Sequence, residues 1–213
     1  GKKGKKDEEI VQKPRKISEN QLKMMAAFDT YLKYVPKAKE RITIMYRKAR
    51  IYYEHNHYDR ASKMFADIAM TYPEHELAVY AANLLLDSLN ILKRYEELEQ
   101  WVYKLLEKKQ LAKGELLATL LRLKRGIARK KLEQYQKTGR YREAAEGYAK
   151  LANEYPDDKR WAELAYNAAL NFEAAKLIGQ AIAIRNALIR IKLTDKSDKK
   201  GRTLAQKALY QVG

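Results

Sequence analysis

The chain has 213 residues and a formal net charge of +17 from 44 Lys and Arg against 27 Asp and Glu. Hydrophobic residues make up 46%, enough for a packed core, yet mean hydropathy is −0.65 and no apolar run is long enough to cross a bilayer as a helix. The absence of Cys excludes disulfide scaffolds, Cys-ligated zinc, iron–sulfur clusters and thiol catalysis, while leaving oxidising and reducing compartments equally open.

The charge is banded. Residues 1–50 carry +9, 51–100 carry −5, 101–150 carry +9 and 151–213 carry +4. A nucleic-acid surface calls for a continuous basic footprint, so an acidic stretch between basic ones reads as a patterned protein-contact surface.

Residues 1–17 hold seven Lys and Arg and almost no apolar content, and are expected to form a flexible basic arm or linker. No apolar stretch follows these charges, so they are not a secretion signal, and the missing initiator Met points to a fragment of a longer protein. Helical periodicity begins at Ser18, where Ser with Gln21 three residues on can form a capping box. Ten helices are predicted, over 18–34, 37–54, 58–71, 74–91, 95–109, 115–137, 141–154, 159–176, 178–192 and 199–212. Pro36, Asn56, Pro73, Lys93, Gly114, Gly139, Pro156 and Gly179 mark or lie near the breaks. Short connections imply antiparallel neighbours. The sixth helix carries two apolar stripes, Leu116, Leu120, Leu123 and Ile127 beside Leu117, Leu121, Ala128 and Leu132. Two stripes require packing partners on two sides, as in a stacked solenoid.

The chain also repeats itself. Ala49, Tyr52, Asn56, Tyr58, Ala61, Phe65, Ile68 and Pro73 recur at the same intervals as Leu132, Tyr135, Gly139, Tyr141, Ala144, Tyr148, Leu151 and Pro156. A weaker copy runs from Ala169 through Phe172, Ile178 and Ala181 to Leu188, and the weakest from Leu86 through Leu98 and Val102 to Leu105. Phe28, Phe65, Val102, Tyr148 and Arg185 occupy equivalent places, separated by 37, 37, 46 and 37 residues.

These residues resemble the tetratricopeptide repeat family. The resemblance implies an all-α, right-handed α-solenoid of antiparallel helix pairs over 18–213, a fragment of a longer array because the first and last helices lack partners. It also implies a groove lined by the first helix of each pair, where a peptide or partner helix binds. By spacing, Tyr46, Arg50 and Tyr53 fall in that groove, then Tyr80, Asn83, Asp87 and Asn90, then Arg129, Glu133 and Gln136, then Glu163, Tyr166, Asn167 and Glu173. The Lys, Asn and Arg pattern with which some members clamp a C-terminal carboxylate is missing, since Tyr46, Leu84 and Gly126 stand in its places. The Tyr-Pro closings at Tyr72-Pro73 and Tyr155-Pro156 are similar to those of bacterial envelope repeat proteins.

Arg122, Arg125 and Arg129, with Lys124, Lys130 and Lys131, form the densest basic patch, with no acid between 122 and 131. It suits an acidic protein, anionic lipid or phosphate. His55 and His57 can supply two metal ligands, but nothing nearby completes a site, so no metal is assigned and both are read as exposed turn residues. No phosphate loop, nucleophile elbow or Ser/His/acid order is present, and no cofactor or catalytic residue is assigned. The sequence therefore reads as a non-catalytic scaffold or adaptor for a protein or peptide, in a bacterial envelope assembly, periplasmic or else cytoplasmic, and membrane-associated only through its complex. The alternative is a basic helical module binding nucleic acid.

Overall fold

The computed structural model describes residues 13–212. Among them are ten α-helices and no strand: α1 (Glu19–Tyr34), α2 (Arg41–Glu54), α3 (Tyr58–Thr71), α4 (Glu76–Ile91), α5 (Tyr95–Glu107), α6 (Gly114–Lys137), α7 (Tyr141–Glu154), α8 (Trp161–Ala174), α9 (Ile178–Lys192) and α10 (Lys199–Val212). The expected all-α stack of antiparallel helix pairs is what forms, and Ser18 and Gln21 do close a capping box on α1. Helices α2, α4 and α8 start two to four residues later than the periodicity predicts. Each is preceded by a four-residue β-turn with Pro in its second place, at 35–38, 72–75 and 155–158. Its bonds run from Ala38 N to Val35 O, His75 N to Tyr72 O and Asp158 N to Tyr155 O, at 3.0–3.1 Å. Proline fixes the φ that this turn position needs.

The turns within pairs are more uniform still. Residues 55–57, 92–94, 138–140 and 175–177 each connect two helices through a middle residue with positive φ: Asn56 (63°), Lys93 (57°), Gly139 (77°) and Lys176 (63°). In all four, the residue after it donates its N–H back five residues, His57 to Tyr52, Arg94 to Leu89, Arg140 to Tyr135 and Leu177 to Phe172, at 2.8–3.0 Å. The middle residue's own N–H reaches back three residues, to Tyr53, Asn90, Gln136 and Glu173. This paired pattern is the Schellman termination of a helix. The four pairs α2–α3, α4–α5, α6–α7 and α8–α9 are thus built by one device, including the pair whose sequence has lost most marker residues.

The chain divides into two compact units at Lys124/Arg125, inside α6. In the first unit α2 packs on α3, α3 on α4 and α4 on α5, and α2 also meets α4. In the second, α7 packs on α8, α8 on α9 and α9 on α10, and α8 also meets α10. Contact between first helices of successive pairs is what stacking produces. Helix α6 serves both units, burying Leu116 and Leu120 in the first and Leu132 in the second. Its 24 residues, against 13–16 in the other helices, account for the long 46-residue interval.

Small residues decide how closely the helices approach. In the first unit Ala49, Ala61, Ala69, Ala81 and Ala82 are fully buried around Phe65, Ile68, Leu85 and Leu89. The second unit builds the same layer from Ala144, Ala168, Ala169, Ala181 and Ala205 around Tyr148 and Leu188.

The basic arm is corrected in part. Residues 1–12 lie outside the described residues, but 13–17 are docked on the α2–α3 turn. Arg15 N donates to His55 O at 2.8 Å and Asn56 Nδ2 to Lys13 O at 3.1 Å, while the Arg15 guanidinium bonds the Glu54 carbonyl. Ile17 is buried against Met25 and Ile51. The single apolar residue in a basic stretch anchors it, and the turn's free backbone groups supply the rest.

Candidate functional site

The first helices of the pairs hold the side chains assigned to the groove. In the first unit these lie on α2 and α4, neighbours in space. Tyr46 and Tyr53, seven residues apart on α2, are half-buried with ring centroids 5.8 and 6.2 Å from Phe65. Tyr53 also meets Tyr58 edge-on at 5.3 Å and donates its hydroxyl to Asp87 on α4. Burial and then the Asp87 carboxylate push the Tyr53 hydroxyl well above the ordinary tyrosine range. Tyr53 and Asp87 are 34 residues apart, and their bond ties equivalent faces of two successive pairs together.

Arg50 donates through Nε (3.1 Å) and Nη2 (2.5 Å) to Glu54 Oε1 one turn on, and this bond, with a smaller contribution from Tyr46, raises its pKa. Tyr80 is 59% exposed. Asn83 is exposed and donates one amide hydrogen to Val79 O at 3.1 Å, while Asn90 is exposed with no side-chain partner among the described residues. The structure therefore brings Tyr46, Arg50, Tyr53, Tyr80, Asn83, Asp87 and Asn90 onto one two-helix face.

In the second unit the corresponding residues come from α6 and α8, with partners on α10. Arg129 is half-buried and Glu133 exposed. Both act on the Tyr148 hydroxyl, whose pKa is raised by burial first, then by Glu133, against an opposing effect of Arg129. Gln136 accepts from Asn171 Nδ2 at 3.3 Å, Glu163 pairs with Lys200, and Tyr166 accepts from Gln211 at 3.5 Å. Glu173 is taken up by Arg185, whose side chain is only 4% exposed although it occupies a place held by aromatic residues in three other copies. Asn171, a buried polar residue, was not singled out from sequence, and Arg185 was read only as a repeat position, not as an ion-pair partner. Their signal was the departure from the apolar character of their positions.

Two members of the basic patch are engaged within the fold. Arg125 Nε pairs with Asp158 Oδ2 at 3.1 Å and its guanidinium lies 4.9 Å from the Tyr155 ring centroid. The acid that a count over 122–131 misses is supplied from the α7–α8 turn. Lys124 likewise lies over Tyr103, at 5.6 Å. Arg122 and Lys130 are exposed, and Arg122 falls in the first unit while Lys130 falls in the second.

The histidines are tied to the backbone rather than exposed. His57 Nε2 lies 2.9 Å from Arg15 O, His55 Nδ1 lies 2.9 Å from Ile51 O, and His75 Nδ1 caps α4 by accepting from Leu77 N at 3.1 Å. No cluster of metal-binding side chains occurs among the described residues.

No protein-family model matches the chain, and no curated protein matches it. Among solved structures it is similar to the one titled TPR2AB-domain:pHSP90-complex of yeast Sti1, at 17% identity and a TM-score of 0.36, covering 90% of this chain and 80% of that one. The fold assignment rests on the packing and turn geometry described above rather than on that likeness.

Proposed function

We propose that the chain is a non-catalytic interaction module whose first-helix faces bind a protein or peptide segment. The observation that carries this is the α2–α4 face. Two adjacent helices present tyrosines, amides and one Arg, with Arg50, Tyr53 and Asp87 engaged internally and Tyr80, Asn90 and one amide hydrogen of Asn83 left for a ligand. Tyr and Arg are the side chains that most often dominate binding energy, because they combine area with hydrogen bonding at low conformational cost. The residues of a carboxylate clamp are absent, so an internal segment rather than a chain end is the ligand of choice.

The finer reading places this scaffold in a bacterial envelope assembly, periplasmic and membrane-associated only through its partners. The Tyr-Pro closings support it. A pull-down from separated envelope and cytosolic fractions, nuclease-treated and washed at low and high salt, tests both levels. A discrete envelope protein retained by the wild type, and lost when Arg50, Tyr80 and Arg129 are replaced by Ala without loss of helicity, is the expected result. Retention by the folded triple variant overturns the binding-face reading. Nuclease-sensitive, salt-sensitive recovery would favour nucleic acid instead.

A further inference from the structure

We infer that the α2–α4 face takes a proline-rich segment of low charge in the polyproline II conformation. This rests on the reading of that face as a protein-binding surface and names the ligand class.

The charged groups of the face are already engaged. Arg50 is bonded twice to Glu54, which offsets its charge, and Asp87, still a carboxylate, accepts the Tyr53 hydroxyl. An anionic ligand would have to displace Glu54 from Arg50, whereas an uncharged one leaves both bonds in place. The rest is aromatic and amide: Tyr46 and Tyr53 packed against Phe65, the exposed Tyr80, and the exposed Asn83 and Asn90.

Spacing selects among conformations. Tyr46 and Tyr53, and again Asn83 and Asn90, are seven residues apart on their helices, a step of about 10.5 Å. A polyproline II chain returns the same face every three residues, about 9.3 Å. A β-strand returns it every two residues, about 6.7 Å, and so falls out of step. A helical ligand shares the 10.5 Å step, but its backbone groups are bonded internally and the face lacks the Leu, Ile or Met stripe a helix needs. Polyproline II leaves its carbonyls unpaired, and proline has no N–H, so such a ligand demands donors. The amide hydrogens of Asn90 and the remaining one of Asn83 are donors of that kind.

Fluorescence anisotropy with labelled decaproline, against a labelled Gly-Ser peptide of equal length, tests this directly. Saturable binding of decaproline alone is expected. It should be weakened about tenfold or more by Tyr80→Ala and by Asn90→Ala, and should change by less than about twofold between about 50 and about 500 mM salt. Both substituted side chains are exposed, and circular dichroism checks that the helices persist. A peptide-display selection runs in parallel. If decaproline does not bind, but selected peptides of other composition or helical conformation do and are lost in both variants, the proline-rich assignment falls while the binding face stands. If neither decaproline nor any selected ligand responds to the two substitutions, both fall.

Discussion

Gly147 of α7 leaves empty the place that the Leu132 side chain of α6 occupies: a Cβ built on Gly147 would lie 2.1 Å from Leu132 Cδ2. Two equivalent positions of the repeat hold Ala, at Ala49 and Ala169, so the larger residue in this pair is matched by removing a side chain from the facing helix. Gly147→Ala should therefore destabilise the protein by about 1–3 kcal/mol through overpacking, despite Ala's better helix propensity. In a Leu132→Ala background the same change should be neutral or stabilising. Urea unfolding of the four variants gives the cycle, and equal effects in both backgrounds would refute the coupling.

Lys176 adopts a left-handed conformation, φ 63°, that its turn demands and that its side chain disfavours. Lys176→Gly should stabilise by roughly 0.5–1 kcal/mol, read as a higher urea midpoint at unchanged slope. Gly139 already holds the equivalent place in the α6–α7 pair, and Gly139→Ala should shift the midpoint the other way.

Arg185 replaces an aromatic core residue and rests its charge on Glu173, whose side chain is 50% exposed; the Arg185 Nε has no hydrogen-bond partner among the described residues. Replacing a buried ion pair by an apolar residue of similar volume is often neutral or stabilising, and removing one partner is costly. Arg185→Met should leave thermal stability unchanged or raised. Glu173→Ala should lower it by about 1–3 kcal/mol, the solvent exposure of Glu173 keeping the loss below that of a fully buried pair.

Asp198 caps α10, accepting from Gly201 N at 2.7 Å, and pairs with Lys192 at 3.1 Å. The Gly201 bond first, and Lys192 after it, hold its pKa below the usual carboxylate value of 3.8. A carboxylate with a lowered folded-state pKa contributes stability that is present above its unfolded value and lost as pH falls through the folded one. Asp198→Ala should thus cost about 1 kcal/mol at pH near 7. That difference should shrink as pH drops below about 4. A pH-independent difference would show that the cap acts without its charge. Gly201→Ala should mimic the loss, because an added Cβ would lie 2.3 Å from Asp198 Oδ2.

Most helix boundaries were legible in the sequence, since apolar periodicity, Pro at turns and Asn or Gly at helix ends are local signals; the starts after the Pro turns were not. The two strong copies followed from repeat spacing, and the first-helix residues of the candidate face from the family resemblance that this spacing carries. What the weak copies lacked in marker residues, the backbone supplied: Lys93 and Lys176 enter the same left-handed turn as Asn56 and Gly139 because packing on either side outweighs the local cost.

Other features depended on residues far apart in the chain. That Arg125 is bound by Asp158, that residues 13–17 are anchored by Ile17 and the α2–α3 turn, and that Arg50 and Asp87 are internally satisfied are tertiary facts. Residue type and spacing fix which side chains share a helix face, because the 3.6-residue period is a property of the backbone. Which of those side chains keep their charge for a partner is decided only when distant carboxylates, hydroxyls and carbonyls come within bonding distance, and that requires the folded chain.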